Sequence, residues 1–239
     1  IPTPNRTAEA MINWTFINQV KFEGHDITGI FNVGRHPKLS DYEKEEIVLS
    51  LKAIGVRSGD EVITAANTFV ATVGAITEIG AVPSFVDCDD TFCMDVKKIE
   101  RLINKKTKAI IPVHFTGYMT DMSKLMLIAK KYNLPIIEDA CQSILGSINN
   151  KLAGSWGITG AFSLHPLKNL NVWSDGGIVT TNDEKIDAKI RLLRNHGLVD
   201  RDTVEILGYN SRLDTIQAVV GNWLIPKTED IAKKRIENA

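Results

Sequence analysis

Asp139, Ser163, His165 and Lys168 are the residues whose types and spacing could do chemistry together. The apolar pair Ile136-Ile137 runs into Glu138-Asp139, the pattern of a buried parallel strand that carries an acid to its carboxyl end. A second strand, residues 160–164, delivers Ser163, His165 and Lys168 to the same edge. In open α/β sheets that edge is where ligands bind. Taken singly, each residue has an ordinary reading: a solvated loop lysine, an acid capping the next helix, a serine in a turn. Together, a carboxylate, a hydroxyl and a lysine suit a pyridoxal phosphate (PLP) site. There the lysine forms a Schiff base and the acid partners the pyridine nitrogen.

The elements that must position these groups alternate along the chain. A helix over 39–55 has Ser40 or Asp41 as N-cap, Glu43 completing a capping box, an Ile47, Leu51, Ile54 stripe and Gly55 at its end. Residues 61–66 form a strand, and Asn67-Thr68 cap a helix to about residue 80 with Phe69 in its first turn. Phe69 is either core or a stacking face for a planar ring. A strand over 82–86 leads to Asp87, Asp89 and Asp90, which lack calcium-loop spacing and read as a solvated turn. A short helix over 95–103, a strand over 108–115 and a helix over 121–132 with Leu125, Ile128 and Ala129 on one face follow. His114, at the end of its strand, is either a substrate contact or a hydrogen-bonded structural histidine. After the strands over 135–139 and 160–164 comes another over 176–181. A helix capped by Asn182 or Asp183 then carries Ile186, Ile190 and Leu193 on one face and ends at Gly197. An apolar helix runs through Ile216 and Val219, and a charged one covers 228–238. Residues 1–30 are weakly patterned, with Trp14, Phe16 and Ile17 as a candidate packing segment. The alternation predicts an α/β fold, a mostly parallel sheet flanked by helices.

Composition is that of an ordinary globular protein, 239 residues with 44% hydrophobic and 24% charged. A net charge of −1 gives no electrostatic case for nucleic acid or an anionic membrane. No apolar run approaches the roughly 20 residues that span a bilayer, and no signal-peptide pattern opens the chain. Cys88, Cys93 and Cys141 have no zinc-site spacing, so no metal is expected and Cys141 reads as a packing residue. A reducing cytoplasm is the expected location.

The order of motifs resembles the DegT/DnrJ/EryC1/StrS family of PLP-dependent sugar aminotransferases. The matching passages are Gly59-Asp-Glu-Val-Ile-Thr, Thr68-Phe-Val-Ala-Thr, Ile137-Glu-Asp-Ala-Cys-Gln and Phe162-Ser-Leu-His-Pro-Leu-Lys-Asn-Leu. Asp175-Gly-Gly, Leu193-Arg-Asn-His-Gly and Gly208-Tyr-Asn-Ser-Arg-Leu-Asp complete the set. The resemblance implies the large domain of PLP-dependent transferase fold type I over 39–225. It would be preceded by an N-terminal segment (1–38) and followed at 226–239 by a helix leading to a C-terminal domain absent here. It also implies roles. Lys168 is the Schiff-base and proton-transfer lysine, and Asp139 keeps the pyridine nitrogen protonated. Phe69 stacks on the ring, Gln142 lies by its phenolic oxygen and Ser163 donates to the phosphate. Asn210 reaches the phosphate of the other subunit in a homodimer, and His165 orients the lysine loop or meets substrate.

Two features depart from the family pattern. Asp41-Tyr-Glu-Lys stands where a glycine-rich phosphate turn is usual, putting two carboxylates beside an expected dianion. The chain also stops where the smaller domain would begin, as a fragment, a natural truncation or a form without the full chemistry would. The implied activity moves an amino group, from glutamate, to a keto sugar that is nucleotide-linked or of the octulosonate type. The latter is suggested by Asn169-Leu-Asn-Val-Trp-Ser-Asp-Gly-Gly and Asn195-His-Gly-Leu-Val-Asp-Arg-Asp, which look like a subgroup containing 8-amino-octulosonate transaminases. A non-catalytic binding or regulatory module and a PLP-dependent sugar dehydratase are the alternatives. In one dehydratase branch a histidine replaces the lysine, and retention of Lys168 favours transamination.

Overall fold

The computed structural model describes residues 45–238 and, before them, the backbone of three strands, β1 (Gln19–Phe22), β2 (His25–Thr28) and β3 (Ile30–Val33). The expected caps Ser40, Asp41 and Glu43, the turn at 41–44, and Trp14, Phe16 and Ile17 lie outside the described residues.

From there the chain alternates. Helix α1 (Glu45–Ala53) is followed by β4 (Glu61–Ala65), α2 (Val70–Glu78), β5 (Val82–Val86), β6 (Thr107–Ile111), α3 (Met122–Tyr132) and β7 (Ile137–Asp139). A hairpin, β8 (Ser147–Ile148) and β9 (Lys151–Leu152), precedes β10 (Thr159–Ser163) and β11 (Gly177–Thr180). Helices α4 (Glu184–Arg194), α5 (Thr215–Leu224) and α6 (Thr228–Glu237) complete the described chain.

Strands β5-β4-β6 form one ladder and β3-β11-β10-β7 another. Parallel bridges Ile110–Ile136 and Val113–Asp139 join them, giving the order β5-β4-β6-β7-β10-β11-β3. Strand β11 pairs antiparallel with both β10 and β3, and every other pairing in this sheet is parallel. A sheet of that kind must be covered on both faces, and period-two alternation supplies two apolar surfaces. Ile63, Ile110 and Ile136 pack with Met122, Leu125 and Ala129 of α3 on one face. On the other, Val62, Ala109, Ile111 and Ile137 pack with Ile47, Val48 and Leu51 of α1 and Ala75 and Ile76 of α2. Each buried Leu or Ile contributes roughly 1.5–3 kcal/mol, so these layers hold the strand ends in place.

A Cβ at Gly177 would collide with the Glu46 side chain of the buried α1, which would have to move aside for any larger residue there. Two more features serve the site. Helix α4 is capped by Asp183, whose carboxylate accepts from Lys185 N and Ile186 N, and buries Ile190 and Leu193 against α1 and β11. Leu213, just before α5, and Ala218 within it pack against Leu164, Leu170 and Val172, anchoring the connection between β10 and β11.

Several expectations need correction. Asn67 and Thr68 do not cap α2. Phe69 is its N-cap residue without a side-chain cap bond, because the Asn67 amide donates to Phe92 O and the Thr68 hydroxyl pairs with Thr72. The helix expected at 95–103 is two 3-10 turns, Val96–Lys98 and Glu100–Leu102. In α5, Ile216 is 76% and Val219 40% exposed, while Gln217, Ala218, Val220 and Gly221 face inward. The sequence reading assigns no strand to β8 and β9. Their turn, Asn149-Asn150, has both residues at positive φ (53° and 59°), as a two-residue hairpin of matching twist requires.

Candidate active site

Two strand ends build the site. Asp139 closes β7, whose adjacent residues face opposite ways: Ile137 packs with the α1–α2 layer and Ile136 with the α3 layer. Asp139 therefore meets α2, and its Oδ2 accepts from Thr72 Oγ1 at 2.7 Å while Oδ1 accepts from Cys141 N at 3.2 Å. Glu138 points the other way and is fully buried. Its Oε1 accepts from Trp156 N (2.6 Å) and Gly157 N (2.7 Å), and its Oε2 accepts from Gly154 N (2.9 Å) and pairs with His114 Nε2 (3.0 Å).

Strand β10 closes at Ser163, and the chain winds back into a turn that presents Lys168. Ser163 Oγ accepts from His165 N (3.3 Å), His165 Nδ1 from Leu167 N (3.1 Å), and His165 O from Lys168 N (2.8 Å). The Nδ1 acceptor role leaves the proton on Nε2, which lies 3.9 Å from Asp175 Oδ1. His165 is thus built into the turn that carries the lysine.

A cavity of about 590 Å³ opens beside this turn, within the usual size range of small-molecule sites. Phe69, Thr116, Gln142, Ser163, His165, Lys168 and Arg235 are among its described lining residues, so Lys168 and Arg235 bring positive charge to it. An adjoining recess shares Phe69, Cys141, Gln142 and Lys168 with it and adds Thr72 and Asp139. Gln142 Oε1 accepts from Thr116 N at 2.9 Å, so the amide turns its N–H groups elsewhere. Thr116 holds that position with φ 51°, a left-handed conformation uncommon outside glycine. Burial first, and then the nearby Asp139 and Glu46 charges, push the Cys141 thiol well above its ordinary value.

Of the residues expected from sequence, Phe69, Asp139, Gln142, Ser163, His165 and Lys168 come together around these two spaces. Phe69 is 51% exposed, which removes the core reading. Asn210 is exposed, pairs through its backbone with Asn195 and does not line the cavity of its own chain. His114 does not reach the cavity. It is 0% exposed, so the structural alternative describes its place and substrate contact does not. Sequence reasoning missed Thr72, Thr116 and Arg235. The Thr68/Thr72 spacing, one helical turn, was a usable signal for the first. Arg235 had none, because only the path of α6 brings it to the cavity.

The DegT/DnrJ/EryC1/StrS aminotransferase family profile matches residues 45–239. Two curated relatives are a pleiotropic regulatory protein of Geobacillus stearothermophilus and a UDP-N-acetyl-3-dehydro-alpha-D-glucosamine 3-aminotransferase of Acidithiobacillus ferrooxidans. The first is 43% identical over 82% of this chain and 53% of its own length, the second 46% over 74% and 48%. Among solved structures, NtdA from Bacillus subtilis with bound cofactor PMP superposes at TM-score 0.75 with 29% identity, covering 95% of this chain and 54% of that one. The chain spans about half the length of the relatives it matches.

Proposed function

The chain belongs to the DegT/DnrJ/EryC1/StrS aminotransferase family, a PLP-dependent family, and from that premise we propose that it is the cofactor-binding part of a sugar aminotransferase. In this reading an amino group passes from an amino-acid donor, glutamate, to a keto sugar, either nucleotide-linked or of the octulosonate type. The observation that carries the reading is the convergence of Asp139 and Lys168, from different strand ends, on one recess with Phe69 and Gln142.

The residues present fit the group. PLP needs an acid for its ring nitrogen, a lysine for attachment, a flat apolar contact and donors for its oxygens. Asp139, Lys168, Phe69, Gln142 and Ser163 supply that set, and the Lys168 and Arg235 charges in the lining suit a phosphate. When bound, the group withdraws electrons from the carbon attached to the transferred nitrogen. Lys168 would hold the group covalently and, once the incoming amine has released it, would carry a proton to and from that carbon. Asp139 holds a proton on the ring nitrogen. Gln142 directs an N–H to the phenolic oxygen and Ser163 donates to the phosphate, with Asn210 of a second copy completing that end in a homodimer. His165 keeps the turn wound so that Lys168 projects into the recess.

The second reading is a regulatory binding module, favoured by the likeness to the Geobacillus regulatory protein. A visible spectrum with added PLP separates the two. An absorbance band that survives gel filtration in the parent, disappears in Lys168→Ala and is bleached by glutamate supports the aminotransferase. Absence of a band in the parent overturns it.

A further inference from the structure

We infer that Thr72 is a positioning residue for Asp139: its hydroxyl, oriented in turn by Thr68, fixes how the carboxylate faces the recess. The inference rests on Asp139 being the acid of the proposed cofactor site.

Thr72 lies in the first turn of α2 and is 1% exposed. A threonine inside a helix ordinarily returns its hydroxyl to a carbonyl three or four residues back. Thr77 does so in the same helix, bonding Val73 O and Gly74 O. Thr72 instead turns toward β7 and meets Asp139 Oδ2 at 2.7 Å. Its oxygen is also 2.7 Å from Thr68 Oγ1.

The directions in this chain are set by chemistry. An ionised carboxylate has no proton to give, so Thr72 donates to Asp139. With its proton spent, Thr72 can only accept, so Thr68 donates to Thr72. The alternative acceptor of Thr68, Phe69 O, is more distant at 3.4 Å. The result is one ordered line, Thr68 to Thr72 to Asp139. The other oxygen of Asp139 has a longer bond, 3.2 Å from Cys141 N. Each oxygen is thus held by a different element, α2 on one side and the turn after β7 on the other. Two such anchors fix the plane of the carboxylate beside Lys168, which lines the same recess.

The test compares the parent with Thr72→Val, which keeps the shape and removes the donor, and with Thr72→Ser, which keeps the donor. Crystal structures of the cofactor-free proteins are expected to show the Asp139 carboxylate turned away in Thr72→Val and retained in Thr72→Ser. Spectral titration with PLP is expected to show binding about tenfold weaker in Thr72→Val and within about twofold of the parent in Thr72→Ser. A Thr72→Val protein with the carboxylate in place and parental PLP affinity overturns the inference. Should that variant fail to fold, Thr72→Ala decides by the same two readouts. If the parent itself binds no PLP, the proposed function falls, while the cofactor-free structures still decide whether Thr72 places Asp139.

Discussion

Replacing Glu138 with glutamine changes one atom and removes one acceptor. The buried carboxylate accepts three backbone N–H groups, from Gly154, Trp156 and Gly157, and pairs with the buried His114 Nε2, all at 2.6–3.0 Å. A glutamine amide keeps one oxygen and puts two donors where the other stood. If the oxygen stays with Trp156 and Gly157, the new NH₂ faces Gly154 N–H and the His114 ring. The ring can switch tautomer to accept, but its Nδ1 then carries a proton facing Thr120 N, which donates to it at 3.4 Å in the parent. At least two buried or half-buried donors are left without an acceptor whichever way the amide turns. At about 1–3 kcal/mol each, the loss is roughly 2–6 kcal/mol, a large part of the total stability of an ordinary domain. Urea unfolding followed by circular dichroism should show a midpoint lower by about 1–2 M at unchanged slope. A loss under about 1 kcal/mol would show that solvent or a rearranged 154–157 loop satisfies the donors, and would refute the reasoning.

The remaining predictions concern single groups. Because burial raises the Cys141 thiol, little thiolate forms at pH 8, and peptide-mapped alkylation there should run at least about tenfold slower than for a free cysteine. Asp121→Ala removes the N-cap of α3, where the carboxylate accepts from Lys124 N at 3.1 Å, and should cost about 1 kcal/mol at pH 7 by chemical denaturation. The Lys124 ammonium holds the Asp121 carboxyl below its ordinary value, so its stabilisation is full above the ordinary carboxylate range and is lost as pH falls through the lowered value. The gap between parent and Asp121→Ala should therefore narrow below about pH 4, and a gap constant down to pH 2 would count against the cap. Asp183→Ala, which frees Lys185 N and Ile186 N at the start of α4, should lose a similar amount by the same measurement.

Much of the architecture was legible because local pattern and burial agree. Short apolar runs alternating with amphipathic segments can satisfy both faces of a parallel sheet in few ways, and β4, β5, α3, β10 and α4 form close to where periodicity puts them. The misses have physical reasons too. The hairpin β8–β9 is too short for a periodic signal, and only its Asn-Asn turn marked it. In α5 three of the four residues that face inward are small or polar, Gly221, Ala218 and Gln217 beside Val220, because the lysine connection lies close against that face. Gln217 Nε2 reaches Asp175 O at 2.6 Å, and the larger Ile216 and Val219 are left outside.

The sequence by itself determined which chemical groups stand at the ends of β7 and β10, since strand length and order follow from patterns a few residues long. Tertiary structure decided what each group does. Glu138 and Asp139 are adjacent acids, but the pleat sends them to opposite faces. Only there does one meet three loop N–H groups and His114, and the other the Thr72 hydroxyl. His114 and Arg235 make the same point in reverse: the residue beside the site in sequence is sealed in the core, and a residue from the last described helix lines the cavity. Hydrogen bonds and burial depend on what packs from elsewhere in the chain, and no local spacing contains that information.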